Sequence, residues 1–276
     1  MPVLHAIVLG IVQGLSEFLP ISSSGHLVLV PWLFGWDELA RDPDLKRTFD
    51  VALHVGTFVG AATYFRRDLV AYAGAAVRSL RRRSVEGTDE RVAWLLLASS
   101  VPAAVVGAVL DTFVEEQLSA EWLIGVMLVL AGLVLLWADG LAGDRPADGF
   151  GLRDAALMGA AQACALQPGV SRSGVTISMG RWLGFDRAAA SRLSFLMSLP
   201  IIAGAGLYKG VEVAADGIPP GLGPAFASGM AASAATGFVA VWALLRFVTT
   251  HSFRPFVAYR VVVGVAVVAI AASGLR

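Results

Sequence analysis

Residues 13 to 26 read QGLSEFLPISSSGH, a polar cluster inside an otherwise apolar N-terminal stretch. Gln13 and Glu17 are four residues apart and so share one face of a helix. Pro20 interrupts that helix, and Ser22, Ser23, Ser24 and Gly25 supply a cap from which a second half-helix starts near His26. A carboxylate, three hydroxyls and an imidazole therefore converge on one helix break.

The rest of the chain decides what surrounds that break. Of 276 residues, 57% are hydrophobic and 15% charged, and the mean hydropathy is +0.71. This is too apolar for a soluble domain of such length and indicates an all-α integral membrane protein. The formal net charge is zero, so nothing points to nucleic acid. Cys164, the single cysteine, cannot form an intrachain disulfide and says nothing about compartment. The N-terminus lacks a basic n-region and a small-residue cleavage site, so the first apolar segment is expected to remain in the protein.

Residues 3 to 34 are too broken for one clean span and too short for two, which favours a re-entrant helix pair. A polar loop at 35 to 48 leads to a first span at 49 to 65. The stretch 66 to 91 carries seven arginines, from Arg66 to Arg91, and reads as a loop on the cytoplasmic side. Spans at 92 to 110 and 122 to 138 follow, joined by a loop with Asp111, Glu115, Glu116 and Glu121 and no basic residue, placed outside. A connector at 139 to 153 precedes a second broken apolar segment, 154 to 184, interrupted by QPGVSRSG. Spans at 191 to 209, 225 to 246 and 256 to 275 complete the chain. This layout puts most basic residues inside, both termini outside, and Arg172 alone at membrane depth.

Laying residue 13 on residue 162 matches Gln13 to Gln162, Ser22 to Ser171, Ser24 to Ser173 and Gly25 to Gly174, with Ser23 over Arg172. A single membrane domain of two repeats, 1 to 138 and 154 to 276 about a cytoplasmic connector, is the expectation. Each half has one re-entrant pair plus three spans, so the second copy is inverted. Inverted repeats with broken helices build polar sites near a bilayer midplane.

The free N–H groups at a half-helix N-terminus attract anions, and Arg172 adds a planar fork suited to phosphate oxygens. Ser171, Ser173 and Thr176 offer further donors there, and Gly169 and Gly174 allow close backbone approach. The first break holds reactive groups: Glu17 as a base or metal ligand, Ser23 as a nucleophile, His26 as acid or base. The serines could be only a helix cap, Gln13 only an interhelical hydrogen bond, and His26 only a buried contact. Glu17 and Arg172 resist such readings, because a charge deep in an apolar segment is costly unless paired or functional. His5 and His251 have no comparable cluster; His54 stays open because Asp50 shares its helix face. Asp186, Arg187 and Arg192 are expected at the cytoplasmic surface.

With both breaks in hand, the sequence resembles the bacterial undecaprenyl-pyrophosphate phosphatase family, the BacA-like group linked to bacitracin resistance. Gln13 and Glu17 fit its (E/Q)xxxE motif, SSSGH at 22 to 26 its serine-rich turn and histidine, and PGVSRSGVT at 168 to 176 its PGxSRSxxT motif. FDVALHVGT at 49 to 57 and PFVAYR at 255 to 260 also look like the family, so the resemblance covers nearly the whole chain. It implies hydrolysis of the terminal phosphate of a C55 polyprenyl diphosphate in the bacterial inner membrane, recycling the lipid carrier of cell-wall synthesis. Carried over by position, the catalytic residues are Glu17, Ser23, His26 and Arg172. Gln13, Ser22, Ser24, Gly25, Gly169, Ser171, Ser173, Gly174 and Thr176 are the phosphate-binding set. A divalent metal ion (Mg or Ca) is implied on Glu17, with Gln13 as a second, neutral donor. The partners are the lipid substrate and the bilayer, with a homodimer left open. A transporter or lipid flippase and a structural membrane subunit are the rivals, and flipping could accompany hydrolysis.

Overall fold

The computed structural model describes residues 1–36, 38, 42–216 and 220–275. Among them lie eleven α-helices and no β-strand: α1 (Val3–Phe18), α2 (Ser23–Phe34), α3 (Pro43–Tyr64), α4 (Arg66–Arg82), α5 (Thr88–Gln117), α6 (Glu121–Asp139), α7 (Leu152–Cys164), α8 (Arg172–Trp182), α9 (Arg187–Asp216), α10 (Gly223–Phe247) and α11 (Arg254–Ser273). Five of these, α5, α6, α9, α10 and α11, contain stretches of 19 to 25 residues long and apolar enough to cross a bilayer. The protein is a multi-pass membrane protein. The expected span at 49 to 65 lies within α3, which has 22 residues but falls outside those five. Its first turns carry Asp44, Lys46, Arg47 and Asp50, with Lys46 and Asp50 paired at 2.7 Å, and these charges lower its apolarity.

Both broken segments appear where the sequence places them. Helices α1 and α2 have 16 and 12 residues, and α7 and α8 have 13 and 11. At 1.5 Å per residue each falls short of a hydrocarbon core about 30 Å thick.

The arginine-rich stretch is not the loop expected. Its first part is α4, whose Leu69, Tyr72, Ala75 and Ser79 recur at helical spacing and turn toward the core. Ser79 Oγ accepts from Trp94 Nε1 of α5 at 2.8 Å, and Arg82 beyond it pairs with Glu90. Val70, Val77 and Leu80 are exposed on the far face. Arginine content masked this amphipathic period.

The helix pairings are reciprocal. α1 packs along α10 while α7 packs along α5, α3 contacts α10 while α9 contacts α5, and the pairs α3–α9 and α6–α11 face each other. Close approach is needed at matched points. A Cβ on Gly10 would collide with the Gly229 carbonyl, and one on Gly159, which is 149 positions later, would collide with the Ser99 carbonyl. Gly10→Ala and Gly159→Ala should therefore each cost about 1–3 kcal/mol by overpacking, read as a lowered thermal unfolding midpoint in detergent. Gly204→Ala, which meets nothing within 4 Å, should leave the midpoint unchanged or raise it.

Candidate active site

Each break is shaped by a serine in an uncommon backbone conformation. Ser22 and Ser171, the N-caps of α2 and α8, have φ of 77° and 75°, a region that side chains other than glycine rarely adopt. Ser22 Oγ accepts from Gly25 N at 3.4 Å and Ser171 Oγ from Gly174 N at 3.1 Å, so each side chain caps its own half-helix. The two turns are also stitched to each other. Gly169 N of the second break donates to Ser22 Oγ at 3.1 Å, and Ser173 Oγ donates to the Leu19 carbonyl of the first at 3.1 Å.

Glu17 lies where the two meet. One of its carboxylate oxygens accepts from Arg172 Nη2. The other accepts from Ser23 Oγ at 2.5 Å and Gln13 Nε2 at 2.9 Å, and His54 Nε2 of α3 is 3.5 Å from it. Glu17 is 5% exposed, a burial that an ionised carboxylate tolerates only with such partners. The Arg172 guanidinium also reaches the Ser198 carbonyl at 3.4 Å. These groups line a cavity of about 420 Å³. Ser16, Glu17, Ser23, Ser24, His54, Gln162, Ser171 and Arg172 form its polar part, and residues such as Val51, Ala103, Leu166, Ile201, Ile202 and Ala205 form an apolar wall. A cavity with a hydroxyl on a carboxylate, an arginine fork and an apolar flank suits an amphiphile with a phosphate head.

Comparison with known proteins gives the family. The family model for Bacitracin resistance protein BacA matches residues 6–266. The chain belongs to the BacA family. An undecaprenyl-diphosphatase of Pelobacter propionicus is 47% identical over 277 residues, covering 100% of this chain and 99% of the relative. That of Geobacter sulfurreducens is 47% identical over 271 residues, 98% of each. That of Nocardioides sp. is 44% identical over 274 residues, 99% of this chain and 97% of the relative.

Within this BacA-family chain, Gln13, Glu17, Ser23, Ser24, Ser171 and Arg172 come together as the motifs suggest. Gly25, Gly169 and Gly174 sit in the walls of the breaks, and Ser173 bridges to the first break. Thr176 does not reach the cavity: it is fully buried, bonded to the Arg172 carbonyl at 2.7 Å and Ser194 Oγ at 2.6 Å, and joins α8 to α9. His26 also turns away. Its Nδ1–H donates to the Ser22 carbonyl at 2.7 Å, so Nε2 accepts from the Tyr259 hydroxyl at 2.7 Å, and neither nitrogen is free. The imidazole in the cavity is that of His54, whose Nδ1–H is held by the Asp50 carbonyl at 2.7 Å. Its nearness to Glu17, 37 positions away in sequence, has no local signature.

Two buried amide oxygens have no hydrogen-bond partner, Gln13 Oε1 and Gln162 Oε1, and they occupy matched positions of the two halves. The Glu17–Arg172 pair predicts a non-additive response. Glu17→Gln or Arg172→Gln alone leaves the other charge buried and unpaired and should destabilise by up to about 3–5 kcal/mol. The double variant should lose less than the worse single variant in thermal unfolding.

Proposed function

We propose that this chain hydrolyses the terminal phosphate of undecaprenyl (C55) diphosphate, giving undecaprenyl phosphate and inorganic phosphate. Every relative named above is an undecaprenyl-diphosphatase, with near-complete coverage of both chains. The observation that carries the mechanism is Glu17, which holds the Ser23 hydroxyl on one oxygen and Arg172 on the other.

The terminal phosphate enters beside Ser23 and Ser171, and Arg172 exchanges part of its hold on Glu17 for phosphate oxygens. Glu17 then takes the Ser23 proton while Ser23 Oγ attacks the terminal phosphorus. The bond from that phosphorus to the bridging oxygen breaks, Glu17 passes the proton to the departing oxygen, and undecaprenyl phosphate leaves. Water then attacks the phosphoserine phosphorus and gives a proton to Glu17 or His54; the bond from phosphorus to Ser23 Oγ breaks, Oγ takes the proton back, and inorganic phosphate leaves. In the alternative route water attacks directly and Ser23 only donates a hydrogen bond. The direct bond between Ser23 and Glu17 favours the first route. His26 acts from behind, holding the Ser22 turn through its carbonyl. The apolar wall receives the first isoprenes of the tail.

Among the described residues no group of three His, Cys, Asp or Glu side chains converges to hold a metal. Glu17, the partnerless Gln13 Oε1 beside it and the partnerless Gln162 Oε1 of the cavity lining are uncharged or anionic oxygens near the site, and a divalent ion such as Mg or Ca would be held by Glu17 with Gln13. When bound, it would offset phosphate charge.

The two halves are further proposed to be an inverted-topology repeat, each with a re-entrant pair. Support comes from Ser22 and Ser171, which share cap and φ, from the matched Gly10 and Gly159 crossings, and from the reciprocal helix pairings. With residues 66–91 on the cytoplasmic side of the bacterial inner membrane and both termini outside, Ala205 of the cavity lies about 27 Å along α9 from Arg187. The cavity then sits in the outer half of the bilayer. A lipid-flipping role is the rival reading, which the repeat alone would also suit.

Phosphate release from a polyprenyl diphosphate by purified protein in detergent separates them. Hydrolysis lost by at least about 10²-fold in Glu17→Ala and Arg172→Ala is expected; an inactive wild type would sink the enzyme reading. Ser23→Ala should lose as much, and acid quenching should trap a phosphoserine; a variant keeping most activity would favour direct water attack. Orientation is tested with single cysteines at 37 and 85 in a Cys164→Ala background. An impermeant thiol reagent should label them from opposite faces, and labelling of both from one face would defeat the assignment.

A further inference from the structure

Arg260 of α11 reads from the sequence as one more basic residue near the cytoplasmic end of a span. In the fold it is 0% exposed. Its Nη1 donates to the Pro20 carbonyl of the first break at 3.0 Å. Nη2 donates to the Gly169 and Val170 carbonyls of the second break at 2.8 and 3.0 Å, and Nε to the Leu128 carbonyl of α6 at 3.0 Å. A Cβ on Gly174, in the first turn of α8, would lie 3.1 Å from Nη1, so the half-helix that carries Arg172 is seated against this guanidinium. No carboxylate pairs with Arg260 among the described residues.

Carbonyls at a helix break inside a bilayer have neither a helical partner nor water, and each is costly if left alone. A guanidinium carries five donors in a rigid planar fork and can meet several carbonyls in different directions at once. An ammonium on a lysine stem is a point donor that cannot span three segments in this way. Ser23 and Arg172 sit on different breaks, and their relation depends on whatever joins those breaks.

We propose that Arg260 is a positioning residue for phosphoryl transfer. It clamps both breaks to α6 so that Ser23 and Arg172 stay opposed across the diphosphate, without touching substrate itself. This rests on the phosphatase reading above, since a fixed relation between nucleophile and arginine matters only if a reaction passes between them.

Arg260→Lys and Arg260→Gln, purified in detergent and checked for helicity and monodispersity, supply the test. Saturating phosphate release should fall about 100-fold in both, as expected when reacting groups shift by about 1 Å, and Lys should not rescue. Amide hydrogen exchange at residues 21–26 and 169–174 should rise at least tenfold in both variants, with exchange in α5 and α10 unchanged. The proposal is overturned if Arg260→Lys keeps kcat within threefold of wild type, or if kcat falls while exchange at the breaks stays at the wild-type level. Exchange is read without substrate. A wild type that releases no phosphate therefore defeats the phosphatase reading, whereas a wild type that is active with an unmoved Arg260→Lys defeats only the clamp.

If neither variant accumulates, Gly132→Ala carries the test. Its Cβ would press on Arg260 Cβ and Cδ at 3.3 and 3.6 Å and on the guanidinium Nε at 3.4 Å, displacing the fork from its carbonyls without removing it. A kcat at least threefold lower with raised exchange at the breaks supports the clamp, and wild-type values for either overturn it.

Discussion

A helix that stops in a protein interior leaves amides and carbonyls that need partners, and this chain breaks two apolar segments at buried turns, between α1 and α2 and between α7 and α8. Everything around the cavity follows from how those groups are satisfied. On the amide side, Ser22 and Ser171 adopt left-handed backbone conformations and turn their hydroxyls onto Gly25 and Gly174. On the carbonyl side, donors come from elsewhere in the chain: Ser173 reaches Leu19, and Arg260 reaches Pro20, Gly169 and Val170. Because most of these donors belong to the opposite break or to another helix, neither break is complete by itself. The cost of breaking a helix in the interior is thus what holds the two halves together.

The same constraint explains why a carboxylate is tolerated at the centre. Glu17 sits at the end of α1 with Arg172 on one oxygen and Ser23 and Gln13 on the other, so the charge is balanced and most lone pairs are occupied. A pair of this kind contributes little net stability, since desolvation of two ions offsets much of their attraction. Its value lies in what it permits. On the proposed mechanism, a diphosphate that draws Arg172 toward itself frees one carboxylate oxygen while the Ser23 hydroxyl stays on the other, so loading the substrate arms the base in the same movement.

Much of this was legible in the sequence. Hydropathy, Pro20, the serines and QPGVSRSG located both breaks, and the cost of intramembrane charge singled out Glu17 and Arg172. What escaped it depends on distance in space. His54 joins Glu17 only because α3 crosses α1, and no local period links positions 17 and 54. His26 looked like part of the cluster because it stands three residues from Ser23. Its ring is instead drawn off by two partners that the local spacing does not show, the Ser22 carbonyl and the Tyr259 hydroxyl of α11. Arg260 was hidden by arithmetic: a basic residue a few positions inside a span counts toward the positive-inside balance whether it faces water or the core. In α4 the abundance of arginine concealed an amphipathic period that the spacing of Leu69, Tyr72, Ala75 and Ser79 carries.

The division of labour between the breaks has a geometric origin on the proposed inverted repeat. Position 23 and position 172 correspond, and each is the first residue of a half-helix whose cap has the same backbone. Both side chains line the cavity, and each bonds one oxygen of Glu17. Two serines there would present hydroxyls from both sides with no fixed charge to hold an anion, and two arginines would leave Glu17 outnumbered and no nucleophile. On the proposed mechanism, one serine and one arginine at corresponding positions supply attack and charge stabilisation, the two things a phosphoryl group requires as it passes between two oxygens. The asymmetry of the reaction is therefore written as a single substitution between two otherwise equivalent caps.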